Sequence, residues 1–485
     1  MKIAIVAAEI APYAKAGGLA DVIGAMPAAL KAAGAEPAII VPGYRKLIEA
    51  IDSELAAEQI PISLGDREER FSIRRGADSH GVPLYLIEHP GFFGRTGIYG
   101  EGGVAYPDNV HRFVFFGRAA AIAAAEFVKP EVLHAHDWHA AAAVTAARAD
   151  GTLHGQFEPA LVAFTIHNLA FQGLSGAADF PLLGIGRKYF STDCLEFYGR
   201  MNLMKGAISL ADAVSTVSPA YAREIASGPE LGFGLEGVLR AKGENFTGIL
   251  NGADYNEWDP AHDPHIAAPY SRANPAGKRE CARALRAETG LPEREGVPVV
   301  GMVTRMTEQK GIGLIRAGLD SLMRLDIQLV MLAAGDPDSE RFFHAAERRY
   351  PHQLRAMIGF DDAAAHRVQA GSDAFLMPSQ FEPCGLTQMY AMRYGTVPVV
   401  RATGGLRDTV SEFDPAAGAG TGFMFEKFEP AAMVAAMGRM AAAFRNPPAW
   451  RRLMDNCFAA DFSWDGAARQ YLDWFARLRK ARGLG

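Results

Sequence analysis

The chain has no apolar stretch approaching the roughly 20 residues of a membrane-spanning helix. Its N-terminus, MKIAIVAAEIAPYAKAGG, sets a lysine before an apolar run, as a secretory leader would. That run extends only over Ile3–Ala8 before Glu9 interrupts it, which is short for a leader and well suited to a first buried strand. Cysteine is scarce: Cys194, Cys281, Cys384 and Cys457 are scattered and form no CxxC pair. Such spacing argues against a disulfide framework and for free thiols in a reducing cytoplasm. Basic excess is missing too. A net charge of -6 argues against nucleic acid or an acidic membrane as the main partner, while leaving room for a local basic pocket. Fixed-period repeats are absent, as are low-complexity tracts beyond a general abundance of alanine.

What is present is a soluble-globular balance, 49% hydrophobic and 21% charged, over 485 residues. That length exceeds one ordinary core, so two or three domains are expected. Apolar runs alternate with amphipathic patterns along nearly the whole chain. Strands are expected at Ile3–Ala8, Pro37–Val41, Pro83–Ile87, Val132–Ala135, Leu161–Ile166 and Ala213–Val217. The second half offers Val297–Val303, Gln328–Ala333, Ala374–Met377 and Val397–Val400. Asp21–Ala33 and Arg112–Ala125 read as helices. This alternation predicts an α/β fold of parallel sheets covered by helices. It breaks between about Asn251 and Gly296, where Pro, Asp and Asn accumulate. The expected division is 1–250, 251–460 and a C-terminal helix over 461–485, with two Rossmann-like, doubly wound domains facing a cleft. In that last segment Trp464, Tyr471, Trp474 and Phe475 need a surface to bury against.

Residues able to do chemistry sit where such strands end. Lys15-Ala16-Gly17-Gly18 follows the first strand, and Asp21 opens the helix behind it. Glycines there let backbone N–H groups approach a phosphate or a sugar hydroxyl, and Lys15 adds charge. The turn matches neither GxGxxG nor a Walker A, and a tight turn with a solvated lysine is the plain alternative. In the second half Arg305 and Lys310 flank a similar turn, suited to gripping a diphosphate. Thr403-Gly404-Gly405 makes a third. Phe381-Glu382-Pro383-Cys384-Gly385-Leu386-Thr387 sets a carboxylate between a strand end and a helix expected from Gly385. A capping glutamate beside a buried cysteine would look the same. His134, His136, Asp137 and His139 invite a metal reading. A strand end entering a helix, with Trp138 between the candidate ligands, is preferred, and no metal is expected. Asp137 and His167, on neighbouring strand ends, are expected to share a site. Asp336-Pro337-Asp338 reads as a loop in preference to a metal-holding Asp-x-Asp, and Tyr99 as a loop anchor whose ring is able to stack on a sugar.

Taken in order, Lys15-Ala-Gly-Gly-Leu19, His134-Ala-His-Asp-Trp138, Phe164-Thr-Ile-His-Asn168, Asn251-Gly252, Arg305 with Lys310-Gly311, Phe381–Gln388 and Thr403–Leu406 resemble bacterial glycogen synthases and plant starch synthases. Any one piece is weak; the ordered set covers essentially the whole chain. The resemblance implies a glycosyltransferase of the B type whose last helix crosses back to the N-terminal domain. It implies transfer from ADP-glucose to the non-reducing end of glycogen or another α-1,4-glucan, with retention and without a cofactor. By the same resemblance Lys15, Gly17, Gly18 and Asp21 bind the donor, and Arg305 and Lys310 hold its diphosphate. Asp137, His167 and Asn251 line the glucose and acceptor side, and Tyr99 is counted among the substrate-binding residues from its loop. Glu382, with the backbone around Cys384 and Gly385, contacts the donor glucose; Leu386, Thr387, Gly404 and Gly405 are expected to bind substrate beside it, and the Phe360 ring to stack on the nucleotide base. Two positions depart from the family pattern: Ala16 stands where threonine is usual, and Phe360 where tyrosine is common. Each removes a hydroxyl contact, which bears on donor affinity. A nucleotide-sugar epimerase or an α-glucan phosphorylase on the same architecture is an alternative, although no recognisable pyridoxal-phosphate lysine motif is found. A non-catalytic glucan-binding protein predicts loss of the cations or the carboxylate, and Lys15, Arg305, Lys310 and Glu382 are all present.

Overall fold

The structure is a computed structural model that describes residues 1–484. The chain divides into two compact units: residues 1–252 with the C-terminal stretch from Trp464, and residues 253–463.

The first unit is built on a nine-stranded sheet. Its order is Phe246–Gly248, Ala213–Thr216, Leu161–Ile166, Val132–His136, Lys2–Val6, Glu36–Pro42, Pro83–Glu88, Arg67–Ala77, Ser53–Leu64. Every neighbour from Phe246–Gly248 to Pro83–Glu88 is parallel, and the last two strands form an antiparallel hairpin. The central strands are buried on both faces, so they read as continuous apolar runs. Alanine explains how tightly the covering helices sit. Helix Asn109–Ala123 meets helix Asp137–Ala149 at Gly117, where a Cβ would lie 2.7 Å from that of Ala142.

The C-terminal helix, Trp464–Ala481, belongs to this unit although it follows the other one in sequence. Trp464, Ala467, Ala468, Tyr471, Trp474, Phe475 and Leu478 recur at three- and four-residue spacing and are all buried. Each of the larger ones contributes about 1.5–3 kcal/mol on leaving water. Just past the helix, Arg482 pairs with Asp212 at 2.5 Å.

The second unit has a six-stranded parallel sheet, ordered Leu354–Ile358, Gln328–Gly335, Val299–Met306, Ala374–Met377, Val397–Arg401, Phe423–Phe425. Its entry segment is pinned by Trp258, whose indole lies between the rings of His366 at 3.8 Å and Tyr390 at 4.2 Å. Asp263 Oδ2 accepts from the Tyr394 hydroxyl (2.5 Å) and from His366 Nδ1 (2.8 Å).

Both sheets reverse their winding beside the first strand of the unit. In the first unit Lys2–Val6 has Glu36–Pro42 on one side and the later Val132–His136 on the other. In the second, Val299–Met306 has Gln328–Gly335 on one side and Ala374–Met377 on the other. Chains diverge at such a point and leave a crevice outside the strand ends, the place where open α/β sheets bind ligands. No helix among the described residues is long and apolar enough to cross a membrane.

Candidate active site

In the first unit the crevice is organised by a residue to which the sequence reading assigned no role. Glu9, three residues past the first strand, is 5% exposed. Its Oε2 accepts the backbone N–H groups of Ala16 and Gly17, each at 2.8 Å, and its Oε1 accepts the Tyr99 hydroxyl at 2.6 Å. Burial raises its pKa above the ordinary carboxylate value, outweighing these three bonds. Glu9 therefore moulds the lysine–glycine turn from beneath. The N–H of Gly17, expected to approach a ligand, is given to Glu9. Gly17 has open space where a Cβ would be, and Gly18 begins helix Gly18–Ala32, whose first amides lack intrahelical partners. Lys15 pairs with Asp21 at 2.8 Å. Tyr99 spends its hydroxyl on Glu9 and stacks on His139 at 4.6 Å.

Asp137 opens helix Asp137–Ala149 with φ 57, a left-handed conformation uncommon outside glycine. That backbone turns its carboxylate toward the neighbouring strand end, where it accepts the N–H of His167 at 2.7 Å and, more weakly, that of Asn168 at 3.4 Å. Burial lifts its pKa to about 7 despite those bonds. A left-handed backbone and a carboxyl perturbed by burial thus coincide at this strand end, which makes Asp137 a candidate site residue. Asp137 and His167, expected to share a site, are joined through the His167 backbone N–H. His167 is also bonded through Nε2 to Nδ1 of His136 at 2.9 Å. His134 and His139 are core histidines, with pKa values pushed down to about 3 by burial. No group of three or more His, Cys, Asp or Glu among the described residues could hold a metal ion. Asn251 is buried with Oδ1 unbonded among the described residues, and no hydrogen bond joins it to Asp137 or His167.

In the second unit the crevice gathers two loops. Arg305 was expected in a strand-to-helix turn, but the strand runs to Met306 because it pairs with Gln328–Gly335 over its whole length. Arg305 thus projects from the strand's last turn of pleat, exposed, its guanidinium with no hydrogen bond or ion pair among the described residues. Lys310 ends the short 3₁₀ turn Glu308–Lys310 and contacts Glu382 Oε2 at 2.6 Å. Ser379 donates to the same oxygen at 2.9 Å. Glu382 is 4% exposed, so its charge is held by this pair of partners. Gln309 ties the loops together: its carbonyl accepts the N–H of Gln380 at 2.8 Å, and its side chain donates to Phe381 O at 3.4 Å.

The helix after this loop is Thr387–Arg393, two residues later than expected. Gln388 folds back to donate to the carbonyls of Cys384 (3.2 Å) and Gly385 (2.8 Å), which shapes the turn. Leu386 caps that helix, and Thr387 Oγ1 lies 3.3 Å from Met377 Sδ. Gly404 and Gly405 back the loop instead of facing open space. A Cβ at Gly404 would lie 1.9 Å from Glu382 O and one at Gly405 2.0 Å from Cys384 O, while Gly405 N donates to Glu382 O at 3.0 Å. Phe360 follows strand Leu354–Ile358 and is 77% exposed, a large ring left in water at the strand-end rim. Asp336 caps helix Pro337–Arg349, so the Asp-Pro-Asp run is structural.

Residues 2–241 match the starch synthase catalytic domain family, and residues 286–443 match the glycosyl transferases group 1 family. Glycogen synthase of Anaeromyxobacter dehalogenans strain 2CP-C is 45% identical over 97% of this chain and 98% of its own. The chain belongs to the glycogen and starch synthase family. Glycogen synthase 1 of Geobacter sulfurreducens is 40% identical over 100% of this chain and 98% of its own. Among solved structures, the catalytic domain of starch synthase IV from Arabidopsis thaliana, bound to ADP and acarbose, superposes with a TM-score of 0.90. It is 33% identical over 98% of this chain and 99% of its own. The fold is accordingly the B-type glycosyltransferase fold of two Rossmann-like domains, and the chain is a hexosyltransferase.

Proposed function

We propose that this chain transfers glucose from ADP-glucose to the non-reducing end of an α-1,4-glucan, in glycogen biosynthesis, with retention of configuration and without a metal ion. The observation that carries the reading is the second unit's crevice: an unpaired, exposed Arg305 and a lysine, Lys310, drawn to a buried carboxylate. A nucleoside diphosphate is already a good leaving group, so the demand is for positive charge on the departing phosphate, not for a strong general acid. Arg305 and Lys310 supply it, aimed at charge that develops in the transition state. Lys310 and Ser379 occupy Glu382 Oε2. Its other oxygen is left for glucose hydroxyls and for the positive charge growing at the anomeric carbon. In the first unit Lys15 and the helix start at Gly18 serve the donor, while Asp137, His167 and Asn251 serve the sugar and the acceptor. The bond from the anomeric carbon to the phosphate oxygen breaks as the bond to the acceptor oxygen forms on the same face. The acceptor's proton passes to the leaving phosphate. The ADP and acarbose of the starch synthase IV structure support a nucleotide and a sugar as partners. Four free, buried cysteines support a reducing, cytoplasmic setting.

Transfer from ADP-glucose and UDP-glucose at equal concentration onto a glycogen primer tests the donor. Faster growth and nucleotide release from ADP-glucose is expected; faster transfer from UDP-glucose would overturn it.

A further inference from the structure

His136 closes strand Val132–His136 and is fully buried, so it touches no substrate itself. Its Nδ1 lies 2.9 Å from Nε2 of His167. Its own Nε2 is buried without a hydrogen-bond partner among the described residues. The ring is tightly seated: His134 packs on it at 4.1 Å, and His134 in turn meets Tyr471 and Phe475 of the C-terminal helix at 5.5 and 5.3 Å. On the other side, Asp137 anchors the backbone of His167. Burial holds these rings neutral, with the pKa of His134 and of His167 pushed down to about 3 and that of His136 well below the usual imidazole range.

A neutral imidazole carries one N–H and one bare nitrogen. One proton must lie between His136 and His167, and either ring can supply it. If His167 did, His136 would have to keep its own proton on Nε2, a buried donor with nothing to receive it. Orphaned buried N–H groups are the rarer and costlier defect, compared with an unmatched lone pair. If His136 supplies the proton, only a lone pair is left at its Nε2, and His167 must keep its proton on Nδ1. We infer that His136 is a positioning residue whose Nδ1–H fixes His167 in the Nδ1-protonated form, so that His167 meets the transferred sugar as a hydrogen-bond donor. In that form His167 has no bare nitrogen left. It can hold a sugar oxygen but cannot take a proton from the acceptor hydroxyl. The inference rests on the proposed contact of His167 with sugar.

The full chain, labelled with ¹⁵N in its histidine rings, tests this directly. Long-range ¹H–¹⁵N correlations, with His167 assigned through His167→Gln, are expected to show the His167 proton on Nδ1; finding it on Nε2 overturns the inference, whatever any variant does. His136→Asn, whose amide N–H can stand at the Nδ1 position, is expected to keep kcat within about threefold, whereas His136→Leu loses about 10–100-fold in kcat with donor KM little changed. Native kcat in His136→Leu, or an equal loss in both variants, would contradict it. Undiminished transfer by His167→Ala would instead sink the sugar contact and leave the tautomer measurement standing.

Discussion

Asp137→Asn should make the protein more stable and less active, and the gain should depend on pH. Asparagine tolerates the left-handed backbone at φ 57, and its amide oxygen can still accept the N–H groups of His167 and Asn168. What disappears is the cost of an ionised carboxylate in a buried place. The folded pKa is lifted from 3.8 to about 7. At about 1.36 kcal/mol per unit, ionised Asp137 costs the folded state on the order of 4 kcal/mol once pH exceeds its folded pKa. The sign follows from proton counting. Below the unfolded pKa both states are protonated and the cost is absent. Between the two values the folded state binds more protons, so stability falls as pH rises, and above about 7 the cost is complete. Calorimetry of native and variant chains from pH 4 to pH 8 should show nearly equal melting at the acid end. At the alkaline end the variant should melt about 5–10 °C higher. Transfer activity should fall by about 100-fold, because the ionised carboxylate is what serves the sugar. A variant that melts no higher at pH 8, or whose advantage is the same at every pH, refutes the account of Asp137.

The second unit's two cations should behave differently from each other. Arg305→Ala should lower kcat by about 100–1,000-fold with melting unchanged, since Arg305 is exposed and unpaired. Lys310→Ala should lose as much activity and also about 2–4 kcal/mol of stability, because it strands the buried Glu382 charge; near-normal turnover in both variants would end the phosphate-clamp assignment. Gly404→Ala places a Cβ against a backbone carbonyl at positive φ, and soluble yield should collapse, whereas unchanged yield and melting would show that the loop backbone yields freely. Glu9→Ala removes three hydrogen bonds from the Lys15 turn and Tyr99, and donor KM should rise about tenfold or more in steady-state assays; an unchanged KM would show that the turn holds its shape unaided.

The parallel strands were legible because burial on both faces writes itself as unbroken apolar runs: Ala374–Met377 and Leu161–Ile166 were read to the residue. The edge hairpin Ser53–Leu64 and Arg67–Ala77 was not. Its second strand, REERFSIRRGA, is dominated by charges that face water, with Phe71 and Ile73 the only buried apolar side chains of that strand. Strand-end residues announced the candidate site through glycine turns, lysines and the Phe381–Gln388 run. Glu9 went unread because its meaning comes from Tyr99, 90 residues away in sequence. His136 was weighed only as a metal ligand, since its partner His167 lies 31 residues on and a strand away. A polar side chain at or just past the end of an otherwise apolar strand is the one local sign that Glu9 and His136 share. Arg305 was displaced from its expected turn by strand pairing, a tertiary effect that local composition does not carry.

The central claim is glucosyl transfer with retention at a metal-free cation clamp. Its most direct test is NMR of the product formed from ADP-glucose and a short malto-oligosaccharide in the presence of a chelator. The account predicts new α-1,4 linkages at the non-reducing end, one ADP released per glucose added, and neither in an Arg305→Ala, Lys310→Ala double variant. Release of free glucose, a β-linked product or a requirement for a divalent cation would contradict it.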